Sequence, residues 1–223
     1  MGFDFDYMVS LLPFLMGHLG ATLQMALWGL LFSMVLATAI AVIRVFRWPV
    51  LDQLCQLYIS FFRGTPLLVQ LFLLYYGLPQ VFPSLVGMDA FTAAILGLTL
   101  HFAAYKAESI RAAILGVDRH QMEAALSVGM TQGQAMRRII LPQASRIALP
   151  SLMNYFIDMI KSTSLAFTLG VAEIMAAAQM EASSSFKFFE AFLAVALIYW
   201  AIVVVLTQLQ SWAESRLNRA YQR

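Results

Sequence analysis

Residues 7 to 43 contain no Asp, Glu, Lys or Arg, an uncharged run of 37 positions. A helix rises about 1.5 Å per residue and the hydrocarbon of a bilayer is about 30 Å thick, so roughly 20 apolar residues cross it. That run exceeds one crossing, and it places a first span at about 19 to 43 after a short segment around Pro13 and Gly17. Residues 64 to 88, 90 to 105 and 191 to 213 are also free of charge. They predict further spans at about 64–82, 88–111 and 191–213. Residues 147 to 172 are apolar except for Asp158 and Lys161, which sit three apart on one helix face and partly neutralise each other. They predict a span at 147–172, fourth in chain order. The expectation is an all-α membrane protein with five transmembrane helices in one transmembrane domain, residues 1–223. Only 12% of the 223 residues are charged and mean hydropathy is +0.76, which excludes an ordinary soluble enzyme.

Charge sets the orientation. Arg44, Arg47 and Arg63 follow the first span; Arg111, Arg119, Arg137, Arg138 and Arg146 lie between the third and fourth; Arg216, Arg219 and Arg223 close the chain. The opposite side carries Lys187 against Asp4, Asp6, Asp89, Glu173, Glu181 and Glu190. The positive-inside rule then puts the N-terminus outside and the C-terminus in the cytoplasm, an asymmetry hidden by a net charge of +2. The start, MGFDFDYMVS, is acidic where a signal peptide is basic, so no cleavable signal is expected. These basic residues adjoin spans and lack aromatic stacking platforms, which argues against nucleic acid as a partner.

One cytoplasmic loop, about residues 112–146, is too long for a simple turn. HQMEAALSV (120–128) is a good helix sequence, and Gly129 can stop it at positive φ. Thr131 with Gln134 has the spacing of a capping box for a second helix. Pro142 follows RRIIL, and Pro150 falls where the fourth span begins or kinks. The loop reads as helix, glycine turn, helix. From the residues alone it is either an amphipathic hairpin held at the headgroups by Arg137 and Arg138, or a docking surface for another protein.

The loop also carries a motif: E-A-A, three residues, G, nine residues, I-x-L-P, here Glu123, Ala124, Ala125, Gly129, Ile139, Leu141 and Pro142. It resembles the cytoplasmic loop of binding-protein-dependent ABC importer permeases. FRGTPLLVQLFLLYYGLP (62–79), AAYKAESIRAAI (103–114) and KSTSLAFTLGVAEI (161–174) are similar to the polar amino-acid branch of that family, and KSTSLAFTLGVAEIMAAAQ and FFEAFLAVALIYW to its cystine permeases. The resemblance implies a type I importer permease fold in the bacterial inner membrane. It implies a coupling helix that sits in a groove of an ATPase subunit, and alternating access driven from there. The implied partners are two ABC ATPase subunits, a second permease chain (a homodimer favoured over a heterodimer) and an extracytoplasmic amino-acid-binding protein.

The residues agree with a transport subunit that is not itself an enzyme. No G-x-x-x-x-G-K-[ST] occurs, and the Lys161–Ser162 pair has no glycine loop before it. ATP and magnesium then belong to the partner ATPase, with no cofactor expected in this chain. His18, His101 and His120 have no chelating spacing, so no metal site is expected. Polar groups at membrane depth are costly and tend to face a cavity. They nominate His101, Asp158, Lys161, Ser162, Thr163 and Ser164 as a substrate path, although Asp158 and Lys161 read equally well as a helix-stabilising pair. Lys106, Arg63, Thr65, Pro66, Glu108 and Arg111 read as structural or anchoring, with Thr65 a cap and Pro66 in the first turn of the second span. Phe72, Tyr75 and Tyr76 read as an interfacial belt.

The family often has K-D-T-S-L where Ser162 stands, and Asn where His101 stands. Loss of that carboxylate argues against a strongly cationic cargo, so cystine or a similar neutral amino acid is expected. The alternatives are a permease for glutamine, glutamate or arginine, a stand-alone channel or proton-coupled carrier relaying through Asp158, Lys161 and His101, and a membrane scaffold.

Overall fold

The long uncharged runs fold as helices because a bilayer offers the backbone no hydrogen-bonding partner but itself. The protein is described here by a computed structural model covering residues 2–219; Arg223, one of the basic residues counted above, lies outside the described residues. In chain order the α-helices are α1 (Phe5–Met16), α2 (Leu19–Phe46), α3 (Pro49–Gly64), α4 (Leu67–Phe72), α5 (Leu78–Val81), α6 (Ala90–Leu115), α7 (Arg119–Ser127), α8 (Gln132–Ala135), α9 (Leu141–Ser162), α10 (Ile174–Ser185) and α11 (Phe188–Arg219). Among the described residues there is no strand.

Three helices, Leu19–Phe46, Ala90–Leu115 and Phe188–Arg216, are long and apolar enough to span by themselves. The count reaches five when two bent pairs are each taken as one span: Pro49–Gly64 with Leu67–Val81, bent by 112°, and Gln132–Leu169 with Ile174–Ser185, bent by 52°. The second and fourth spans are therefore broken helices, beginning at Pro49 and Gln132 where the expected spans begin at about 64 and 147. The third helix runs to Leu115, one turn past the expected boundary at 111.

Two of the irregularities share a cause. Leu73–Gly77 and Met136–Ile140 are π-helical turns, and each ends two residues before a proline, Pro79 or Pro142. A proline cannot donate to the carbonyl four residues back and its ring clashes there; a widened turn relieves both. Pro142 therefore does not end the second loop helix, which continues through α9 and a 3₁₀ turn to Leu169.

The chain divides into two compact units. Unit 1 comprises residues 1–31, 65–99 and 156–209. Its core joins Met8, Leu11 and Leu15 of α1 to Ile174, Ala177 and Ala178 of α10 and Ala191, Ala194 and Ile198 of α11. Gly97 of α6 lies so close to Leu71 of α4 that a methyl group there would displace the leucine side chain. Unit 2 comprises residues 32–64, 100–155 and 210–223. In one of its clusters Cys55 and Ile59 of α3 pack on Ala37 and Ile40 of α2 and on Ala103, Ala104 and Ala107 of α6. In another, Ile140, Ala144 and Ala148 pack on Ala113 and Val117. Alanine is frequent at these contacts because small side chains let membrane helices approach closely. On α11, Trp200, Val205, Leu209 and Trp212 stay exposed, as suits a surface whose solvent is lipid.

Candidate functional site

The glycine-hinged loop belongs to unit 2. Asp118 starts α7 as its N-cap, accepting the His120 backbone N–H at 3.0 Å; that bond holds the Asp118 carboxyl below its ordinary range. α7 ends in a Schellman motif: the Met130 N–H donates to the Ala125 carbonyl at 3.1 Å and the Gly129 N–H to Leu126 at 3.0 Å. The motif needs a left-handed residue, and Gly129 supplies φ +84°. Thr131 and Gln134 then form both bonds of a capping box, at 2.9 and 3.3 Å.

Only one side of α7 is packed. Ala125 is buried while Glu123 and Ala124 are exposed, and among the described residues the Glu123 carboxylate has no ion pair. Ile139 is half-buried beside a core cluster, and Leu141 and Pro142 are exposed. A cavity of about 760 Å³ lies alongside, lined by Met122 of α7, Gln132 and Gly133 of α8, Arg137, and Val45 and Phe46 of α2. The result is a short, rigid helix with a carboxylate and a small side chain facing outward.

A network of arginines and carboxylates braces the same unit. Glu108 accepts Arg111 Nε at 3.0 Å, an i, i+3 pair on α6. It also accepts Arg44 Nη1 at 3.2 Å, and Arg44 Nε reaches Asp52 at 3.0 Å. One glutamate thus links α6 to α2 and, through Arg44, to α3. Arg63 lies over the Tyr105 ring at 5.4 Å, a cation–π contact. Tyr105 in turn neighbours His101 and Tyr155, with ring centroids 5.1 and 5.7 Å away. Lys106 is wholly buried and donates to Ser33 Oγ at 2.7 Å. Sequence alone does not single out Tyr105 and Tyr155, because a tyrosine in a hydrophobic run resembles ordinary packing. The i, i+4 spacing of His101 and Tyr105 was the available signal.

The remaining path candidates are in unit 1, so His101 does not share a unit with them. Asp158 and Lys161 pair at 2.7 Å with both side chains about half exposed. The hydroxyls of Ser162, Thr163 and Ser164 donate to the carbonyls of Asp158, Ile160 and Lys161 at 2.6 to 2.7 Å. They satisfy the end of α9, where the helix tightens into a 3₁₀ turn, and Thr163 is fully buried. Thr65 does not cap α4: Pro66 occupies the N-cap, without a side-chain bond, and Thr65 instead accepts Gln70 Nε2 on both its hydroxyl and its carbonyl. Proline has no N–H, so it suits a helix start whether it stands at the cap or just inside. Tyr76, in the aromatic run that suits an interfacial belt, donates to the Thr168 carbonyl at 3.3 Å.

Glu173 went unnominated. It is wholly buried, caps α10 by accepting the Ala176 N–H at 2.8 Å, and accepts the Tyr199 hydroxyl at 3.3 Å.

Broken spans and an exposed short helix on a glycine turn, among the described residues, are the features expected of a membrane transport subunit. The chain belongs to the family of binding-protein-dependent transport system inner membrane components, which matches residues 29–219. It is 77% identical, over the full length of both chains, to a probable amino-acid ABC transporter permease protein, PatM, of Vibrio harveyi. It is 39% identical to the L-cystine transport system permease protein TcyL of Bacillus subtilis, over 99% of this chain and 94% of that one. A crystal structure of an amino acid ABC transporter with histidines superposes with a TM-score of 0.90 at 36% identity, covering 97% of this chain and 100% of that chain. The protein is an amino-acid ABC transporter permease subunit with the type I fold, a multi-pass inner-membrane component whose family implies ATPase and binding-protein partners.

Proposed function

We propose that the chain carries a neutral polar amino acid, L-cystine or a close zwitterionic analogue, into the cytoplasm by alternating access. It works as one of two permease chains, two copies of itself being favoured, on two ATPase subunits that hold ATP and magnesium. An extracytoplasmic binding protein delivers the cargo. The N-terminus is outside and the C-terminus inside. Of the 13 Lys and Arg among the described residues, eleven fall within the ranges of unit 2, and this segregation supports the orientation.

The observation that carries the coupling role is the outward face of α7. Glu123 offers a carboxylate to a basic partner and Ala124 allows close approach. Ala125 anchors the helix from behind, and the Gly129 turn makes it stiff enough to transmit a push into the helix that begins at Gln132 and contains Ile139, Leu141 and Pro142. In reconstituted vesicles holding the complete transporter, Gly129→Arg is expected to abolish uptake and substrate-stimulated ATP hydrolysis while the spans still fold. Unchanged uptake and hydrolysis by that variant would end the reading, and uptake by the purified chain alone under a proton gradient would support a carrier instead.

The cargo reading rests on Ser162, a hydroxyl where many relatives of the polar amino-acid branch have a carboxylate, together with Asp158 already paired to Lys161. Both leave little free negative charge for a cationic side chain along Asp158, Lys161, Ser162, Thr163 and Ser164, and His101 adds none. Competition of labelled uptake by cystine, glutamine and arginine separates the options. Strong arginine uptake that cystine does not inhibit would reject the cystine reading and leave the coupling reading intact.

A further inference from the structure

We propose that the elbow joining α2 to α3 is a binding site for one anionic phospholipid. Its headgroup would sit among Arg44, Arg47 and Arg111, and its acyl chain along the exposed stripe of α3. Only Arg47 and Trp48 separate the two helices, and Arg47 adopts φ +52°, a left-handed conformation that arginine rarely takes. A backbone held in that region by a residue other than glycine is a reason to look for a function of the side chain. Here the side chain borders a cavity of about 290 Å³ lined also by Arg44, Asp52, Gln56 and Arg111.

The charge in that cavity is unbalanced. Arg44 is held by Asp52 and Glu108, and Arg111 by Glu108. The second oxygen of Asp52 accepts Gln56 Nε2 at 2.9 Å. Two carboxylates therefore answer three guanidinium groups, and among the described residues Arg47 has no ion pair. A phosphodiester supplies the missing charge and accepts several N–H donors at once.

The apolar half of the ligand is specified by α3. Its buried face is Cys55 and Ile59; on its exposed face Val50, Leu54, Leu57 and Phe61 recur at helical spacing, with Phe46 and Trp48 exposed at the elbow. A basic cavity at the start of an apolar stripe, flanked by an interfacial tryptophan, matches a phospholipid in both its parts. A free phosphate or an acidic side chain of another subunit would satisfy only the basic half.

The test uses the purified full-length chain in nanodiscs of equal phosphatidylglycerol and phosphatidylcholine, with retained lipid identified by native mass spectrometry. The wild type is expected to keep phosphatidylglycerol preferentially. Arg47→Asn removes the charge while tolerating the left-handed backbone, and it is expected to lower that retention about fivefold, as for loss of one basic residue near a membrane surface. Arg47→Lys should keep most of it. Val50→Ser with Leu57→Ser should lower it while leaving the spans folded. Equal retention by wild type and Arg47→Asn overturns the proposal, and the Arg47→Lys result guards against a merely misfolded variant. Displacement of the lipid by inorganic phosphate alone would make this a plain anion site. Disulfide-linked dimers formed by Leu57→Cys but not by the wild type would give the stripe to a second copy. Either result overturns the lipid assignment, and neither depends on what the transporter carries.

Discussion

The two compact units handle buried charge in opposite ways. Among the described residues, unit 1 contains seven of the 12 acids but only Lys161 and Lys187 as cations, whereas unit 2 contains five acids and eleven cations. Among the described residues each holds one ionisable side chain at zero exposure, and its sign is that unit's majority: Glu173 in unit 1 and Lys106 in unit 2. Glu173 accepts a backbone N–H and a tyrosine hydroxyl, so it completes the start of a helix. Lys106 has three donors, and its bond to Ser33 uses one. The acid is part of the frame of its unit; the lysine is a charge its unit tolerates.

Removing each charge tests that contrast. Glu173→Ala takes the acceptor from the part-buried Ala176 N–H and one partner from the Tyr199 hydroxyl, which also has the Thr163 and Thr22 hydroxyls beside it, and is expected to cost about 2 kcal/mol, as for a lost cap. Glu173→Gln, which keeps an acceptor, should recover at least half. Thermal unfolding of the purified chain in detergent reads both, and wild-type stability in Glu173→Ala would remove the distinction between the units. In unit 2, Glu108→Gln withdraws the carboxylate shared by Arg44 and Arg111. The side chain is about a quarter exposed, so water can partly replace it and the expected loss is about 1–2 kcal/mol.

Lys106→Met reverses the sign. Replacing a poorly compensated buried charge by an apolar side chain of similar shape is often neutral or stabilising, here by about 1 kcal/mol. A fall in melting temperature comparable to that of Glu173→Ala would mean that Lys106 is as integral as Glu173. Uptake measured on the same variant shows whether the lysine is retained for transport.

What could be read from the sequence follows the range of the forces involved. Uncharged length marks the long helices α2, α6 and α11, because a bilayer acts on a whole segment at once, although α11 runs to Arg219, six residues past the uncharged stretch expected to end at 213. The turn at Gly129 and the box at Thr131 were legible because both are local hydrogen-bond patterns. The breaks were not: whether Pro79 and Pro142 end a helix or widen it depends on what packs around the turn, and both π segments carry on. Amphipathic α3 was missed because Asp52 and Arg63 interrupt its hydropathy, although Val50, Leu54, Leu57 and Phe61 recur on one side and Cys55 and Ile59 on the other. Arg44 with Glu108, 64 residues apart, and Asp4 with Glu190, 186 apart, lie beyond any pattern in a single chain.

The smallest expected effect concerns the outer latch of unit 1, where charge is exposed rather than buried. Lys187 reaches Asp4 at 2.6 Å and lies 4.1 Å over the Tyr7 ring; the Asp4 N–H donates to Glu190 at 3.0 Å, and Tyr7 donates to Glu181 at 3.3 Å. Asp4 also caps α1 through the Tyr7 N–H at 2.9 Å. The bond from Lys187, reinforced by the Tyr7 N–H, holds the Asp4 carboxyl below its ordinary range, and Asp4 in return holds the Lys187 ammonium above its own. A carboxyl with a depressed folded-state pKa contributes above its unfolded value, about 3.9, and loses that contribution as pH falls through the folded one. A raised lysine contributes below its unfolded value, about 10.4, and loses it as pH rises through the folded one. The latch should therefore hold steadily from about pH 4 to pH 10 and fail on both sides. Hydrogen exchange of the α1 amides, corrected for intrinsic rates, should show protection level across that window, falling on acidification and weakening with salt. Lys187→Met should lower the plateau and remove the alkaline loss. Identical profiles for wild type and variant would show that α1 is held by Met8, Leu11 and Leu15 alone, leaving the exposed charges of unit 1 without a share in its stability.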